Sequence, residues 1–209
     1  MPYGFLDIAA TLSVRAAQAA MGSDQALSAQ GRDRAFDRFT AREAVFIAER
    51  DSFYMATVSE TGWPYVQHRG GPRGFLKVLD ETTLAFADYR GNRQYISVGN
   101  LSAGDRAALI LLDYPRRARL KIYARAELVS LDADPVLAEL TADPGYRARP
   151  ERIIKLHLQA FDWNCSQHIR PRFTEQEIAD AIQPLRERLA ALEAENAALQ
   201  ARLAVAEKH

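Results

Sequence analysis

Short β-forming runs separated by turn residues fill the middle of this 209-residue chain. They are rich in β-branched and aromatic side chains, which predicts strands joined in hairpins. The predicted strands are 52–58, 63–68, 74–79, 83–88, 107–112 and 120–129. A further run at 151–160 alternates apolar and polar side chains, which indicates a strand but leaves a helix open. With one intervening helix at about 92–101, this order favours a mainly β fold: a closed antiparallel barrel with flanking helices.

Residues 1–50 have a helical pattern instead. The first helix is predicted from the repeat of Ile8, Leu12, Ala16 and Ala19. Gly22 follows this repeat at the place of a helix-ending glycine, and residues 23–38 are polar enough for a loop or a short helix. Thr40 and Glu43 have the spacing of a capping box, which predicts a second helix from Thr40. Its expected core side chains are Ala44, Ile47 and Ala48.

Residues 174–209 carry the heptad pattern of a coiled coil. Thr174 and Glu177 form another capping-box pattern, which predicts where the helix begins. Positions a and d then step by four and three residues through Ile178, Ile182, Leu185, Leu189, Leu192, Asn196, Leu199 and Leu203. This seam predicts a dimerisation helix. Pro184 falls at an outward c position, where it can break the helix into a short piece and a longer zipper.

The charged positions beside this seam favour a parallel pair. The facing g and e residues would be Arg188 with Glu193, Glu195 with Gln200, and Arg202 with Glu207. Asn196, a polar residue at an a position, is typical of two-stranded pairs in register. The alternative is a single amphipathic helix that lies on the chain's own barrel. The predicted domains are therefore a helical segment (1–50), a barrel (51–173) and a coiled-coil dimerisation helix (174–209).

The balance of charges excludes several classes of function. Lys plus Arg and Asp plus Glu number 27 each, so no net charge attracts nucleic acid or an anionic membrane. No apolar run reaches the roughly 18 residues that a membrane helix needs. The N-terminus lacks the pattern of a secretory signal, and the one cysteine, Cys165, cannot form an internal disulfide. We therefore expect a cytoplasmic protein that binds neither nucleic acid nor membrane.

A local group of basic and amide side chains is the candidate binding site. Gly91-Asn92-Arg93-Gln94 follows a predicted strand and opens a predicted helix, where backbone N–H groups and a guanidinium favour an anion such as phosphate. The neighbouring predicted hairpins contribute Gln67, His68, Arg69 and Lys77. Alternatively, Arg93 is a solvated surface residue and His68 a structural strand residue. The chain has neither GxGxxG nor GxxxxGK[ST], so dinucleotide and nucleoside-triphosphate folds are not indicated.

These residues also carry a resemblance to a known family. The segments 62–71, 75–77, 84–88 and 91–95, in this order and spacing, resemble the pyridoxamine 5′-phosphate oxidase-like family of FMN-binding split barrels. The resemblance covers about residues 52–164. It implies a split antiparallel barrel of six strands in each subunit, and a homodimer with FMN in the cleft between the subunits.

The resemblance also implies roles for individual residues. Lys77 resembles a lysine that reaches the flavin phosphate, and the segment 92–94 takes the place of a Ser-Arg-Lys phosphate segment. Arg119 resembles a glutamine that reaches FMN from the other subunit, and Trp163 a tryptophan near the end of the last barrel strand. The implied cofactor-binding residues are Gln67, His68, Arg69, Lys77, Ala87, Asp88, Asn92, Arg93, Gln94, Arg119, Trp163 and Asn164.

The function implied by the resemblance is that of an FMN-dependent oxidoreductase whose flavin is reduced by NADPH, NADH or another donor. After Trp163 the chain departs from the basic set that binds the substrate phosphate in the oxidase, so pyridoxamine phosphate is not the expected substrate. The alternative is a non-enzymatic module that carries flavin or haem while the coiled coil recruits a partner. Cys165, His157 and His168 lack the companions of a nucleophile or metal site, so we expect a buried thiol and no metal.

Overall fold

A computed structural model describes residues 4–23, 37–163 and 167–206. The chain comprises two compact units. The first consists of Met1–Asp113 with Arg117–Ile169, and the second of Tyr114–Arg116 with Arg170–His209. The β-sheet belongs to the first unit and the long C-terminal helix to the second.

Seven antiparallel strands form one sheet. They are β1 (Ser52–Val58), β2 (Pro64–Gly70), β3 (Lys77–Asp80), β4 (Thr83–Tyr89), β5 (Arg106–Asp113), β6 (Ala118–Val129) and β7 (Pro150–Trp163). Their order across the sheet is β2-β1-β5-β6-β7-β4-β3. The predicted antiparallel β fold is confirmed, and the run at 151–160 is a strand rather than a helix.

The helices of the described residues flank this sheet and follow it. They are α1 (Phe5–Ala9), α2 (Leu12–Ala20), α3 (Ala41–Ala48), α4 (Ile96–Ala103), α5 (Pro135–Thr141) and α6 (Glu175–Ala206). None of them combines the length and the apolar character that a membrane span requires.

Alternate side chains of the strands form one core inside the sheet. On β5, Leu109 and Leu111 are buried between partly exposed neighbours, and Leu120 and Ile122 repeat this pattern on β6. Burial of each such side chain contributes about 1.5–3 kcal/mol. In the strand order β2 and β3 stand at opposite ends, so the sheet is split between them.

Helix α5 covers the second face of β4 and was not expected, because only one helix was predicted among the strands. Leu137 of α5 packs with Ala85 and Ile153 in a small core of its own. Asp134 caps the helix by accepting a hydrogen bond from the Leu137 N–H, and Pro135 occupies the first turn. The helix has only seven residues, which are too few for a helical repeat of apolar side chains to be recognised in the sequence.

The N-terminal helix prediction was wrong in one respect. The expected single helix is interrupted at Thr11, whose hydroxyl caps α2 by accepting a hydrogen bond from the Val14 N–H at 3.4 Å. A threonine hydroxyl can satisfy a backbone N–H at the start of a helix, so threonine favours a cap position over the helix interior. The cap at Thr11 therefore separates α1 from α2. Gly22 lies beyond α2 with a φ of 67°, as expected for a helix-ending glycine.

Helix α3 begins with the predicted capping box but buries a different face. The Thr40 N–H donates to Glu43 Oε2 at 2.9 Å. Glu43, Phe46 and Ile47 are buried, whereas Ala48 is exposed. The predicted core was therefore wrong at Ala48, because tertiary packing favoured the larger Phe46 ring.

Two further boundaries differ from the sequence prediction. Strand β3 begins at Lys77 rather than at residue 74, since Gly74 has a φ of 77° that no strand residue adopts. Helix α4 begins at Ile96 rather than at residue 92, because Arg93 and Tyr95 both adopt left-handed backbone conformations.

Helix α6 is continuous through Pro184, so the predicted break there was wrong. Its start was predicted correctly, since Thr174 donates from its N–H to Glu177 Oε2 at 2.8 Å. The Ala, Glu, Leu and Arg residues around Pro184 are strong helix formers and sustain the helix despite the lost hydrogen bond.

Candidate functional site

A small cavity of about 50 Å³ lies where β2 faces β4. The walls come from β2, β4, the loop after β4, the first turn of α4 and the start of β7. The lining residues are Gln67, Arg69, Asp88, Tyr89, Gly91, Asn92, Arg93, Tyr95, Ser97, Val98 and Glu151.

The alternation of strand side chains decides which β2 residues reach this cavity. Gln67 and Arg69 point the same way, and Gln67 Oε1 accepts a hydrogen bond from the Ser97 hydroxyl at 3.1 Å. His68, between them, points to the opposite face and packs edge-on against the Tyr54 ring. The three neighbours that the sequence analysis grouped together therefore do not form one site.

A buried carboxylate joins two arginines across the split in the sheet. Asp88 Oδ1 accepts from Arg69 Nη1 at 2.6 Å, and its Oδ2 accepts from Arg152 Nη1 at 3.2 Å. Burial raises the pKa of Asp88 above its ordinary value, although the two arginines act in the opposite direction. This ion-pair cluster holds β2, β4 and β7 together where β2 and β4 exchange no ladder hydrogen bonds.

Two residues that line the cavity each have a buried polar atom without a hydrogen-bond partner among the described residues: Arg69 at its Nε and Tyr89 at its hydroxyl. Burial, with smaller contributions from Asp143 and Tyr146, raises the pKa of Tyr89, so its hydroxyl remains a donor. Buried donors without partners are uncommon in folded proteins and destabilise them. Both side chains therefore keep donor capacity that no described residue uses.

The electrostatics of the cavity favour an anion. Arg93 lines the cavity, is exposed, and makes no ion pair with any described residue. The first-turn N–H groups of α4 add partial positive charge, since no side chain caps this helix. Together with Arg69 and Arg152, these groups carry more positive charge than the carboxylates of Asp88 and Glu151 carry negative charge.

The loop after β4 differs from the helix opening that the sequence predicted. Asn92 Oδ1 accepts a hydrogen bond from the Gln94 N–H at 3.2 Å, so these two side chains stabilise the turn itself. Arg93 and Tyr95 have φ values of 63° and 53°, which cost energy in residues other than glycine. Such strain often accompanies a binding loop whose conformation is set by its ligand contacts.

The structure brings together only some of the predicted cofactor residues. Those that line the cavity are Gln67, Arg69, Asp88, Asn92 and Arg93. Lys77 lies opposite Ala85 on the β3–β4 ladder, away from the cavity lining. Ala87 is buried beside Asp88, and Gln94 is exposed. Asn164 and Cys165 lie outside the described residues.

Trp163 is far from the cavity within one chain. It ends β7, whereas Arg152 lies near the start of the same strand, roughly 36 Å away along the strand at about 3.3 Å per residue. Its indole N–H donates to Glu43 Oε1 at 2.6 Å, and its ring packs edge-on against Phe46. Trp163 therefore fastens α3 to the end of β7.

Glu43 is the buried acceptor of this contact. Burial alone would raise the pKa of Glu43, but hydrogen bonds from Thr40 and Trp163 outweigh it and hold the pKa below its ordinary value. The carboxylate is thus ionised at neutral pH, and it links the capping box of α3 to the last strand.

The outer face of the sheet carries the remaining candidates. Arg119 lies on β6 beside Leu112 of β5, and its Nε is buried without a hydrogen-bond partner in the described part of the chain. A groove of about 570 Å³ runs along this face between Ile8 of α1 and the strands β1, β5 and β6. On the same outer face of the sheet, Tyr54, Val58 and Val66 expose 39%, 50% and 60% of their surface.

Several residues of the site were missed by sequence reasoning. Arg152, Glu151 and Tyr89 gave no motif, since each belongs to an ordinary strand pattern. The alternation on β7 could have placed Arg152 on the same face as Ile154, but not next to Asp88. No group of three or more His, Cys, Asp or Glu side chains within the described ranges could hold a metal ion.

The sequence model of the family described as pyridoxamine 5′-phosphate oxidase matches residues 39–161. The chain belongs to this family. Pyridoxamine 5′-phosphate oxidase-family proteins have the FMN-binding split-barrel fold, so the split barrel that the resemblance implied is confirmed, with seven strands in place of the implied six. Members of the family commonly bind flavins and form dimers, and they include oxidoreductases as well as binding proteins.

Solved structures of similar fold include a Lactobacillus delbrueckii protein named for the same oxidase, with 24% identity over 60% of this chain and 94% of that chain, and a TM-score of 0.46. HupZ of Group A Streptococcus has 14% identity over 65% of this chain and 100% of its own, with a TM-score of 0.45. A FAD-binding protein of Mesorhizobium loti has 15% identity over 60% and 94%, with a TM-score of 0.40. No curated protein matches the chain.

Proposed function

We propose that this chain is an FMN-dependent oxidoreductase that binds the FMN phosphate in the cavity between β2 and β4. The observation that carries the proposal is that Arg69 and Arg93 both line the cavity beside the uncapped first turn of α4, and that Arg93 makes no ion pair with a described residue. A phosphate offers several acceptor oxygens in a small volume, so its chemistry fits this donor set.

Three kinds of donor would hold the phosphate. Arg69 is oriented by its ion pair with Asp88, so its guanidinium is already fixed before a ligand arrives. Arg93 has no ion pair with a described residue, so no described carboxylate competes with the phosphate for its charge. The N–H groups at the start of α4 add short, directed contacts, as helix N-termini do for phosphates elsewhere.

A homodimer would complete the site. The outer face of β1 and β2 exposes Tyr54, Val58 and Val66, and covering these side chains with a second copy would remove apolar surface from water. His68 and Arg119 lie on outward-pointing positions, so they would reach the cofactor only at such an interface. The outward positions of His68 and Arg119 therefore support a cofactor site that is shared between two chains.

The flavin, when bound, would supply the redox chemistry. The protein would position the reactants and stabilise charge, and it would not need an acid–base pair of the hydrolase type. Arg119 is partly exposed, and its guanidinium is a suitable donor to a negatively charged acceptor atom at the interface. We propose a small molecule other than pyridoxamine phosphate as substrate, with NADPH, NADH or another donor supplying electrons.

The test is flavin binding followed by reduction. Purified full-length protein is titrated with FMN, riboflavin, FAD and F420, and the bound cofactor is then exposed without oxygen to NADH, NADPH and pyridoxamine phosphate. We expect FMN to bind most tightly and a nicotinamide to bleach the flavin absorption. Absence of FMN binding would overturn the cofactor proposal. A bound flavin that no donor reduces would support a carrier instead of an enzyme, and turnover of pyridoxamine phosphate would overturn the substrate proposal.

A further inference from the structure

Helix α6 carries an apolar stripe that is exposed to solvent in the single chain. Leu185, Leu189 and Leu203 expose 70%, 57% and 62% of their surface. The other exposed members of the stripe are Ile178, Leu192 and Leu199. All of them occupy a or d positions of the heptad. Soluble proteins seldom leave so long an apolar stripe uncovered, so this face is expected to have a partner.

The polar face of the helix makes side-chain hydrogen bonds of its own. Gln176 donates to Asp180 at 2.7 Å, and Gln183 donates to Glu187 at 3.0 Å, each between residues one turn apart. The 32 residues of α6 span about 48 Å at 1.5 Å per residue. A long helix with polar side chains on one face and an exposed apolar seam on the other has the surface of one strand of a coiled coil.

We propose that α6 pairs with α6 of a second copy of this chain as a parallel, in-register, two-stranded coiled coil. The charges beside the seam fit this partner. In a parallel pair, Arg188 at g faces Glu193 at e of the other copy, and Glu195 faces Gln200. Each such contact forms twice, because the two helices are related by symmetry.

Asn196 selects the orientation of the two helices. In a parallel pair in register, the two Asn196 side chains face each other at an a position and can exchange amide hydrogen bonds. In an antiparallel pair, an a residue faces a d residue, and the d positions 178, 185, 192 and 199 are all Ile or Leu. Each Asn196 amide would then be buried against an apolar side chain without a partner, which is unfavourable.

The charges alone would not make this choice. An antiparallel pair with full overlap would place Arg188 near Glu195 and Arg186 near Glu193, which are also favourable contacts. A parallel pair shifted by one heptad would place Asn196 against Leu189 or Leu203. The single polar a residue therefore excludes both the antiparallel and the shifted arrangement, as it does in other two-stranded coiled coils.

Site-specific disulfide formation tests this arrangement independently of any dimer made by the barrels. In full-length protein with Cys165→Ser, one variant carries Leu203→Cys at an a position and a matched variant carries Ala201→Cys at the outward f position. Both are incubated with oxidised glutathione as the oxidant. In the parallel pair, residue 203 lies next to its own copy. In the antiparallel pair, the two would be about 37 Å apart, at 1.5 Å per residue over the 25 residues between 178 and 203.

We expect the Leu203→Cys chain to form a disulfide-linked dimer at least about tenfold faster than the Ala201→Cys chain, because paired thiols experience a high effective concentration. Leu199→Cys at a d position should behave like Leu203→Cys, which guards against a local effect of one substitution. Adding Asn196→Leu should reduce the advantage of Leu203→Cys by admitting other arrangements. Equal rates for residues 201 and 203, with the Leu199→Cys chain equally slow, would overturn the proposal. A monomeric full-length chain would do the same.

Discussion

Arg93→Ala is expected to weaken FMN binding while leaving riboflavin binding nearly unchanged. Arg93 lines the cavity, and it is the arginine there that no described residue engages in an ion pair. Its charge is therefore free to contact an anion. Riboflavin differs from FMN only in lacking the phosphate, so it reports on every other part of the cofactor site.

The magnitude follows from the type of contact. One or two charge-assisted hydrogen bonds to a phosphate contribute about 1.5–3 kcal/mol, which corresponds to about 10- to 150-fold in Kd at 1.4 kcal/mol per tenfold. Arg93 is exposed in the single chain, so solvent screening favours the lower end of this range. We expect a loss of about 10- to 30-fold for FMN and less than about twofold for riboflavin.

Lys77→Ala provides a graded comparison. Lys77 lies opposite Ala85, which precedes Asp88 on β4 by about 10 Å at 3.3 Å per residue. At that distance in water, a unit charge and a doubly charged phosphate attract each other by about 0.8 kcal/mol. The loss of FMN affinity should therefore be at most about fourfold, which is smaller than that for Arg93→Ala.

The assay is titration of the apoprotein while flavin fluorescence is monitored, with Arg38→Ala as the control for loss of an arginine. Arg38 pairs with Glu81 in the turn before β4, at the opposite end of that strand from Asp88. Arg93→Gly adds a second control. Glycine adopts the left-handed backbone conformation without strain, so a loss of FMN affinity in this variant reports the missing charge and not backbone strain. Equal losses for FMN and riboflavin, or an effect of Arg38→Ala as large as that of Arg93→Ala, would refute the reasoning.

Two further predictions concern buried carboxylates and are measured by urea unfolding at several pH values. Glu43→Gln should lower the free energy of unfolding by about 1–2 kcal/mol at pH 7. Because the folded-state pKa of Glu43 is lowered, its stabilisation is present above the ordinary pKa of about 4.3 and lost as the pH falls, so the two proteins should converge in acid. Asp88→Asn should act oppositely in its pH dependence. The folded-state pKa of Asp88 is raised, so the natural chain loses stability as the pH rises from about 3.9 through that pKa, and the variant should lack this decline. A difference between the two Glu43 chains that persists unchanged in acid, or an identical pH profile for Asp88→Asn and the natural chain, would contradict these assignments.

The strands were predictable because their signals are local. β1 occupies the predicted residues 52–58, since β-branched and aromatic residues are followed at once by turn formers. The capping boxes of Thr40 and Thr174 were predictable for the same reason, because each involves residues three apart. The helix α5 was missed because its packing against Ala85, rather than a periodic pattern, stabilises it.

The candidate site was predictable only in part. Arg93 and Asn92 stand in a segment whose sequence favours an anion, and both line the cavity. Gln67, His68 and Arg69 are adjacent in sequence but lie on two faces of β2, so sequence proximity was misleading there. The alternation of a strand contained this information, but the faces could not be assigned before the core was known.

The sequence by itself determined the antiparallel strands, the caps and the heptad seam of α6, because each depends on contacts between residues a few positions apart. Only the tertiary structure decided that Asp88 pairs with Arg69 and with Arg152, which is 64 residues away, and that Trp163 donates to Glu43 across 120 residues. These contacts depend on the order of strands in the sheet and on the burial of charge between them. No local segment of the sequence contains the strand order or the burial of these charges, since both arise only when distant strands pack around one core.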